Sequence, residues 1–243
     1  MKIENALLIL VIFLLFISIL FPRQEVMIIY YNQTFQPTTK RLTEIKIPAV
    51  GKIGGKETGV IANLKVQVIP GDGKTLTNIE NLLFWIDTQY SIRVAKHVAQ
   101  RITGIDISNL DLIYTIETNA SIIEGQSAGA ALTIATIAAL ENKTLNESVI
   151  ITGTIEEDGS IGRVGGIIYK AEAAKENNAK LFLVPEGQGF VTEYKPKRIC
   201  EKIGFITFCR MEYEVEKVNV KEIVGIEVKE VKDIQEALEY FLS

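Results

Sequence analysis

The sequence predicts an α+β domain preceded by one N-terminal transmembrane helix. Three observations lead there. Residues 6–21, ALLILVIFLLFISILF, form an unbroken apolar run in which Ser18 is the one polar member. From Glu44 onward, stretches with branched apolar residues at every second place alternate with stretches spaced for one helical face. The two kinds follow one another without a regular strand–helix count, which fits α+β packing better than a doubly wound parallel sheet.

The elements follow in chain order. Sixteen helical residues span about 24 Å, short of a hydrocarbon core of roughly 30 Å, and Pro22 with a snorkelling Arg23 completes the span. The run ends in bulky FISILFPRQ, without the small residues of a cleavage site. An uncleaved anchor over residues 1–22 is therefore favoured over a removed signal. Lys2 favours an inside N-terminus, although Glu4 and Arg23 blur the contrast. That orientation makes a single-pass protein of the cell membrane with its folded domain outside the cytoplasm. Residues 23–44 mix polar side chains with a small apolar patch and read as a tether, which leaves 45–243 for the folded domain.

Within that domain, IKIPAVG (45–51) and TGVIANLKVQVIP (58–70) read as strands, and PGDGKT (70–75) as a turn. Residues 80–102 read as a helix whose apolar spacing is best kept from Ile92 through Val94, Ala95, Val98, Ala99 and Ile102, with Gly104 as its stop. LDLIYTIE (110–117) is a strand, and a helix runs from near Ser127 to about Asn142. ESVIITGTI (147–155) is a strand, EDGS (157–160) a tight turn, and 167–177 a helix. LFLVP (181–185) and VGIEVKEV (224–231) are strands before a terminal helix, DIQEALEYFL.

Composition narrows the function. A net charge of −4 with no basic face speaks against a nucleic-acid partner. PGDGKT imitates the tail of a phosphate-binding loop, but the leading glycine would fall at position 68, which is Val68, so no nucleotide site is expected. Cys200 and Cys209 suit two hairpin strands joined by a disulfide in an oxidising compartment, or else two buried free thiols. Neither has a CxxC or histidine neighbour, so no metal and no cofactor is expected.

Ser127, in EGQSAGAA, stands at the mouth of an apolar helix, where an N-cap is the simplest reading. As a nucleophile it would need a base. His97, the only histidine, lies beside Lys96, Gln100 and Arg101 and reads as a solvated surface residue. A lysine can take the role if burial leaves its amine neutral part of the time. Lys170, between RVGGIIY and AEAA, is the candidate; a snorkelling surface lysine is the alternative.

The stretch from Glu124 to Pro185 resembles the catalytic core of the Lon protease family. It has that family's serine motif and following helix, and then a TG-containing strand. The turn Gly159-Ser160-Ile161-Gly162-Arg163-Val164-Gly165-Gly166 comes next, with Lys170 four residues beyond. Ser127 lies 25 residues before Thr152 and 43 before Lys170, matching the family's spacing. Weaker similarity covers KVQVIPGDGKT, TQYSIRVA (where Tyr90 replaces a glutamate) and the terminal strand and helix. It therefore spans 45–243, with 186–220 as a divergent insertion holding both cysteines.

The resemblance implies a Lon-type proteolytic domain of mixed small sheets and packed helices, and a Ser–Lys dyad serine endopeptidase. Ser127 would attack the peptide carbonyl and Lys170 would carry its proton, with Thr152 orienting the lysine. Glu124 falls where relatives carry an acid and would pair with Lys170 in a resting form. It further implies unfolded or loosely structured polypeptides as substrates and a homo-oligomeric ring, hexameric in the family. The family's ATPase module has no counterpart here. Two alternatives stand beside this reading: a non-catalytic peptide-binding or partner module, and a proteolytic subunit served by a separate ATPase.

Overall fold

The computed structural model describes residues 41–53, 55–78, 86–118 and 125–242. The apolar run at 6–21, the tether up to residue 40, and Glu124 lie outside the described residues. Among the described residues, no helix is long and apolar enough to cross a membrane.

The first sheet is a mixed four-stranded one. β1 (Arg41–Ile53) and β2 (Lys56–Pro70) pair antiparallel over their whole length, with Ile45 opposite Leu64 and Ile47 opposite Ala62. β4 (Leu110–Glu117) runs antiparallel to β2, and β3 (Thr75–Asn78) lies parallel to β4, giving the order β1-β2-β4-β3. Strand alternation places Ile45, Ile47, Leu64, Val66, Leu112 and Tyr114 in the core. β1 starts at Arg41, ahead of the expected start of the domain at residue 45. Its first residues hide this because Thr43 points inward while Leu42 is exposed, the reverse of apolar alternation.

The turn at 70–75 is structural. The Asp111 carboxylate accepts from the backbone N–H groups of Asp72 (2.9 Å) and Lys74 (2.8 Å), which hold it below the usual carboxylate range. Any side chain at Gly71 would collide with that carboxylate.

α1 (Ile86–Thr103) keeps the predicted apolar face, with Ile92, Val94, Ala95, Val98 and Ala99 buried and His97 exposed. Gly104 ends it at φ +66, its N–H bonded to the Gln100 carbonyl. α2 (Gly129–Glu141) has no polar face: twelve of its thirteen residues are buried, so it is the core helix against which α1, β1 and β2 pack. Its two buried threonines are satisfied locally, Thr133 donating to the Gly129 carbonyl and Thr136 to that of Leu132.

The second sheet is parallel, in the order β11-β8-β5: β5 (Val149–Ile151), β8 (Leu181–Pro185) and β11 (Glu227–Val231). The single strand expected over 147–155 is in fact β5 followed by β6 (Thr154–Ile155), which pairs with β7 (Ile161–Gly162). The break falls at Thr152–Gly153, whose backbone leaves the ladder for other partners. α3 (Ile167–Glu176) lies against β1, β2 and β8, and buries Ile167, Ala171 and Ala174 with Ile150, Phe182 and Val184. The strand expected at 224–231 is shorter, because α4 (Val220–Val224) precedes it. The Asn219 side chain caps α4 by accepting from the Lys221 N–H. α5 (Ile234–Phe241) is capped likewise by Asp233.

Between β8 and α4 the chain forms one long hairpin, β9 (Phe190–Ile203) with β10 (Ile206–Asn219), and Cys200 and Cys209 face each other in a disulfide. Of the two readings open for the cysteines, the hairpin disulfide is the one present.

Candidate active site

The serine turn is built by glycines. Gly125 has φ +103, a conformation that favours glycine, and it leads into a single 3-10 turn over Gln126–Ala128. α2 begins directly after it. Gly129 sits so close to β6 that a Cβ there would lie 2.7 Å from the Ile155 backbone nitrogen. Ser127 is not the helix N-cap that its position suggested: Ala128 holds that place and no side chain caps α2. The hydroxyl is thereby left out of the capping role, in the turn at the positive end of a buried helix.

Three hydrogen bonds join this turn to the break between β5 and β6. The Gly153 N–H donates to the Ser127 carbonyl (3.0 Å), the Thr152 hydroxyl donates to the same carbonyl (3.3 Å), and the Ala130 N–H donates to the Gly153 carbonyl (3.0 Å). The Thr152 N–H is bonded to Leu183 of the parallel sheet. The threonine is thus fixed at both backbone and side chain.

Lys170 reaches the same point from α3. It is only 3 % exposed, on a helix whose Ala171, Ala173 and Ala174 are buried as well, and donates from Nζ to Thr152 Oγ1 at 3.3 Å. The snorkelling alternative is therefore set aside. Burial alone pushes the amine down from its usual value to about 8, since the charged form loses most on leaving water. At pH 7 roughly a tenth of the lysines is then neutral, about three hundredfold more than for an amine of ordinary pKa. Because the Thr152 proton is directed at the Ser127 carbonyl, its oxygen faces the lysine as an acceptor.

The structure brings Ser127, Thr152 and Lys170 together through these contacts, while Glu124 lies outside the described residues. Sequence reading missed Gln188. Its amide donates to the Val164 carbonyl (2.7 Å) and accepts from the Val164 N–H (2.9 Å), pinning the loop that leads into α3. No motif marks that residue; only the fold brings it to Val164. Among the described residues, no cluster of His, Cys, Asp and Glu fits a metal ion.

The same part of the chain is similar in sequence to known proteins. The model of the Lon protease (S16) C-terminal proteolytic domain matches residues 88–239. The archaeal Lon protease of Thermoplasma volcanium is 34% identical over 131 residues, covering 53% of this chain and 20% of that protein. The archaeal Lon protease of Pyrococcus abyssi is 27% identical over 184 residues, 74% of this chain and 17% of that protein. Lon protease 2 of Bacillus subtilis is 29% identical over 120 residues, 49% of this chain and 17% of that protein. The chain spans about a fifth of the length of the curated relatives it matches. On this match, which takes in the serine turn, Thr152 and Lys170, the chain belongs to the Lon protease family, with residues 88–239 as its serine peptidase domain.

Proposed function

We propose that this chain is an endopeptidase that cleaves unfolded or loosely structured polypeptides through a Ser127–Lys170 dyad, without an ATPase of its own. The observation that carries the reading is the buried amine of Lys170, held by Thr152 against the turn that bears Ser127. Neutral Lys170 takes the Ser127 proton as Oγ attacks the scissile carbonyl carbon. The resulting oxyanion is stabilised at the positive N-terminal end of α2. The lysine ammonium then protonates the leaving amine as the C–N bond breaks. Water, deprotonated by the same lysine, hydrolyses the acyl ester and frees Ser127.

Independence from ATP is supported by Val68 in the glycine position of the loop motif and by the tie of the 70–75 turn to Asp111. Anchoring through residues 6–21 with a tether from residue 23 to the start of β1 is supported by the apolar run. An extracytoplasmic position for the domain is supported by the Cys200–Cys209 disulfide. A homo-oligomeric ring is part of the same proposal. So is a resting pair between Glu124 and Lys170.

The test is hydrolysis of a fluorogenic peptide by the full chain in mild detergent, with no nucleotide added. Cleavage is expected, and Ser127→Ala should remove it to background. Activity that appears only on adding an ATPase would overturn the ATP-independent reading. Thr152→Val gives a finer check. It deletes both the acceptor for Lys170 and the donor to Ser127, so kcat should fall about ten- to a hundredfold with KM little changed.

A further inference from the structure

The hairpin of β9 and β10 sorts its charges by face. Directly opposed residues share a face and faces alternate along each strand, so the register puts Arg198, Lys202 and Lys217 together with Tyr194, Met211 and Tyr213. All six are exposed, and no acid stands on their face. Among the described residues, none of these three cations makes an ion pair. The other face is arranged differently: its Lys195, Lys197 and Arg210 are each matched by a glutamate, Glu216, Glu214 and Glu212 respectively. The whole chain has a net charge of −4, so the uncompensated cations are not the by-product of a basic protein.

The far end of the ribbon is apolar. Ile203 and Ile206 form the last cross-strand pair, and the turn beyond them carries Phe205. Ile203, Ile206 and Phe208 are exposed, and Phe205 is fully so. Lys202 adjoins this tip. Arg198 follows on the same face four residues on, about 13 Å further along the strand. The Cys200–Cys209 disulfide lies between them and fixes the pairing of a ribbon that is marginal on its own.

We propose that the basic face and apolar tip of this hairpin dock on an anionic lipid surface. Ile203, Phe205 and Ile206 enter the boundary between headgroups and acyl chains. Lys202 and Arg198 lay their stems along that boundary and reach lipid phosphates, while the tyrosine rings lie at headgroup level. The contact is separate from the anchor proposed at residues 6–21 and does not require it. In an anchored chain the surface is present at high effective concentration, so even a weak contact would be occupied.

Only lipid answers both features of the hairpin. A nucleic acid would meet the cations but leave the apolar tip in water. A polypeptide of no fixed sequence carries no fixed negative charge, and would leave the cations unanswered. A second copy laid face to face would set the same cations against one another. Its other face offers glutamates already matched by their own lysines and arginine. Fluid acyl chains also conform to a protruding turn, whereas a protein partner needs a shaped pocket for Phe205.

The test uses the full chain carrying Phe205→Trp, freed of detergent in the presence of vesicles. It reads quenching of the new tryptophan by acyl-brominated lipid, with the parent's Trp85 as background. Quenching is expected with phosphatidylglycerol vesicles and little with pure phosphatidylcholine, and high salt should reduce it. Arg198→Gln with Lys202→Gln should raise the phosphatidylglycerol content needed for half-maximal quenching severalfold. Ile203→Ser with Ile206→Ser should weaken quenching as well. Lys195→Gln with Lys197→Gln removes the same charge from the other face and should leave quenching unchanged. Equal quenching in both lipids, or by all the variants, would overturn the proposal. A changed oligomer mass in light scattering for the Arg198 and Lys202 variant, with quenching unaltered, would overturn it in favour of a second copy. Slower casein cleavage with quenching unaltered would overturn it in favour of substrate. Flotation of the full chain with pure phosphatidylcholine vesicles tests the anchor by itself, so the two failures are told apart.

Discussion

Lys170→Met is expected to abolish peptide hydrolysis while raising the stability of the fold at neutral pH. The loss of activity follows from the role of the amine: no other group described at the Ser127 turn can take the proton, so a fall of about a thousandfold or more is expected. The gain in stability follows from linkage. In the fold the amine titrates near 8, against an ordinary value of 10.5. Between these two values the folded chain binds fewer protons than the unfolded one, so stability increases as pH rises from about 8 to about 10.5. Below 8 the full penalty of a buried charge applies, ~3 kcal/mol. A methionine fills a similar volume without that charge. Urea unfolding should therefore show the variant more stable by about 2–3 kcal/mol at pH 7, with the difference shrinking toward pH 10. A variant less stable than the parent at pH 7 would mean that the lysine charge is compensated within the fold.

The same titration governs activity. Below about 8, kcat/KM should rise about tenfold per pH unit as the neutral amine accumulates, and level off above it. Lys170→Arg keeps a side chain of similar length but stays charged at every working pH, so it should be as inactive as the methionine variant. Pairing with Glu124 in the resting form would move the midpoint above 8, and Glu124→Gln would bring it back.

What the sequence revealed and what it hid divide along physical lines. The resemblance to the Lon family, carried by the 25- and 43-residue intervals, joined Ser127 to Thr152 and Lys170. The intervals hold because helix and strand lengths are fixed by the core between them. The strand at 110–117 and the helix over 167–176 were legible from alternation and from the Gly165–Gly166 pair. The break at Thr152–Gly153 was not, since ESVIITGTI has the branched residues of one continuous strand. Its interruption depends on bonds to Leu183, Ser127 and Ala130, which lie far along the chain. α4 was missed for a similar reason: VKEIV has strand-like residues, and the cap on Asn219 outweighs their weak propensity. The burial of Lys170 was also hidden, because a lysine beside small residues suits a surface helix as well as a buried one. Only the packing of α3 on β2 decides it.

That packing supplies a second large effect, at a residue with no part in the chemistry. Gly59 lies in β2 opposite Val50, beneath α3. A Cβ at this position would overlap the Tyr169 carbonyl and press on the Ala173 side chain. Neither can swing aside, since one is helix backbone and the other a methyl attached directly to it. Gly59→Ala must therefore push α3 and β2 apart, costing about 1–3 kcal/mol by overpacking. Tyr169 is the residue before Lys170, so the displacement is carried to the amine and lengthens its 3.3 Å contact with Thr152. A misplacement of about 1 Å at a reacting group can cost roughly a hundredfold in rate, and kcat for peptide hydrolysis should fall by that order. Gly165→Ala is the counterpart, because a Cβ there meets no atom within 4 Å. It should keep both activity and melting temperature close to the parent's. Full activity in Gly59→Ala would show that the helix carrying Lys170 can slide on the sheet without moving its amine. The close approach of strand and helix would then serve the core alone.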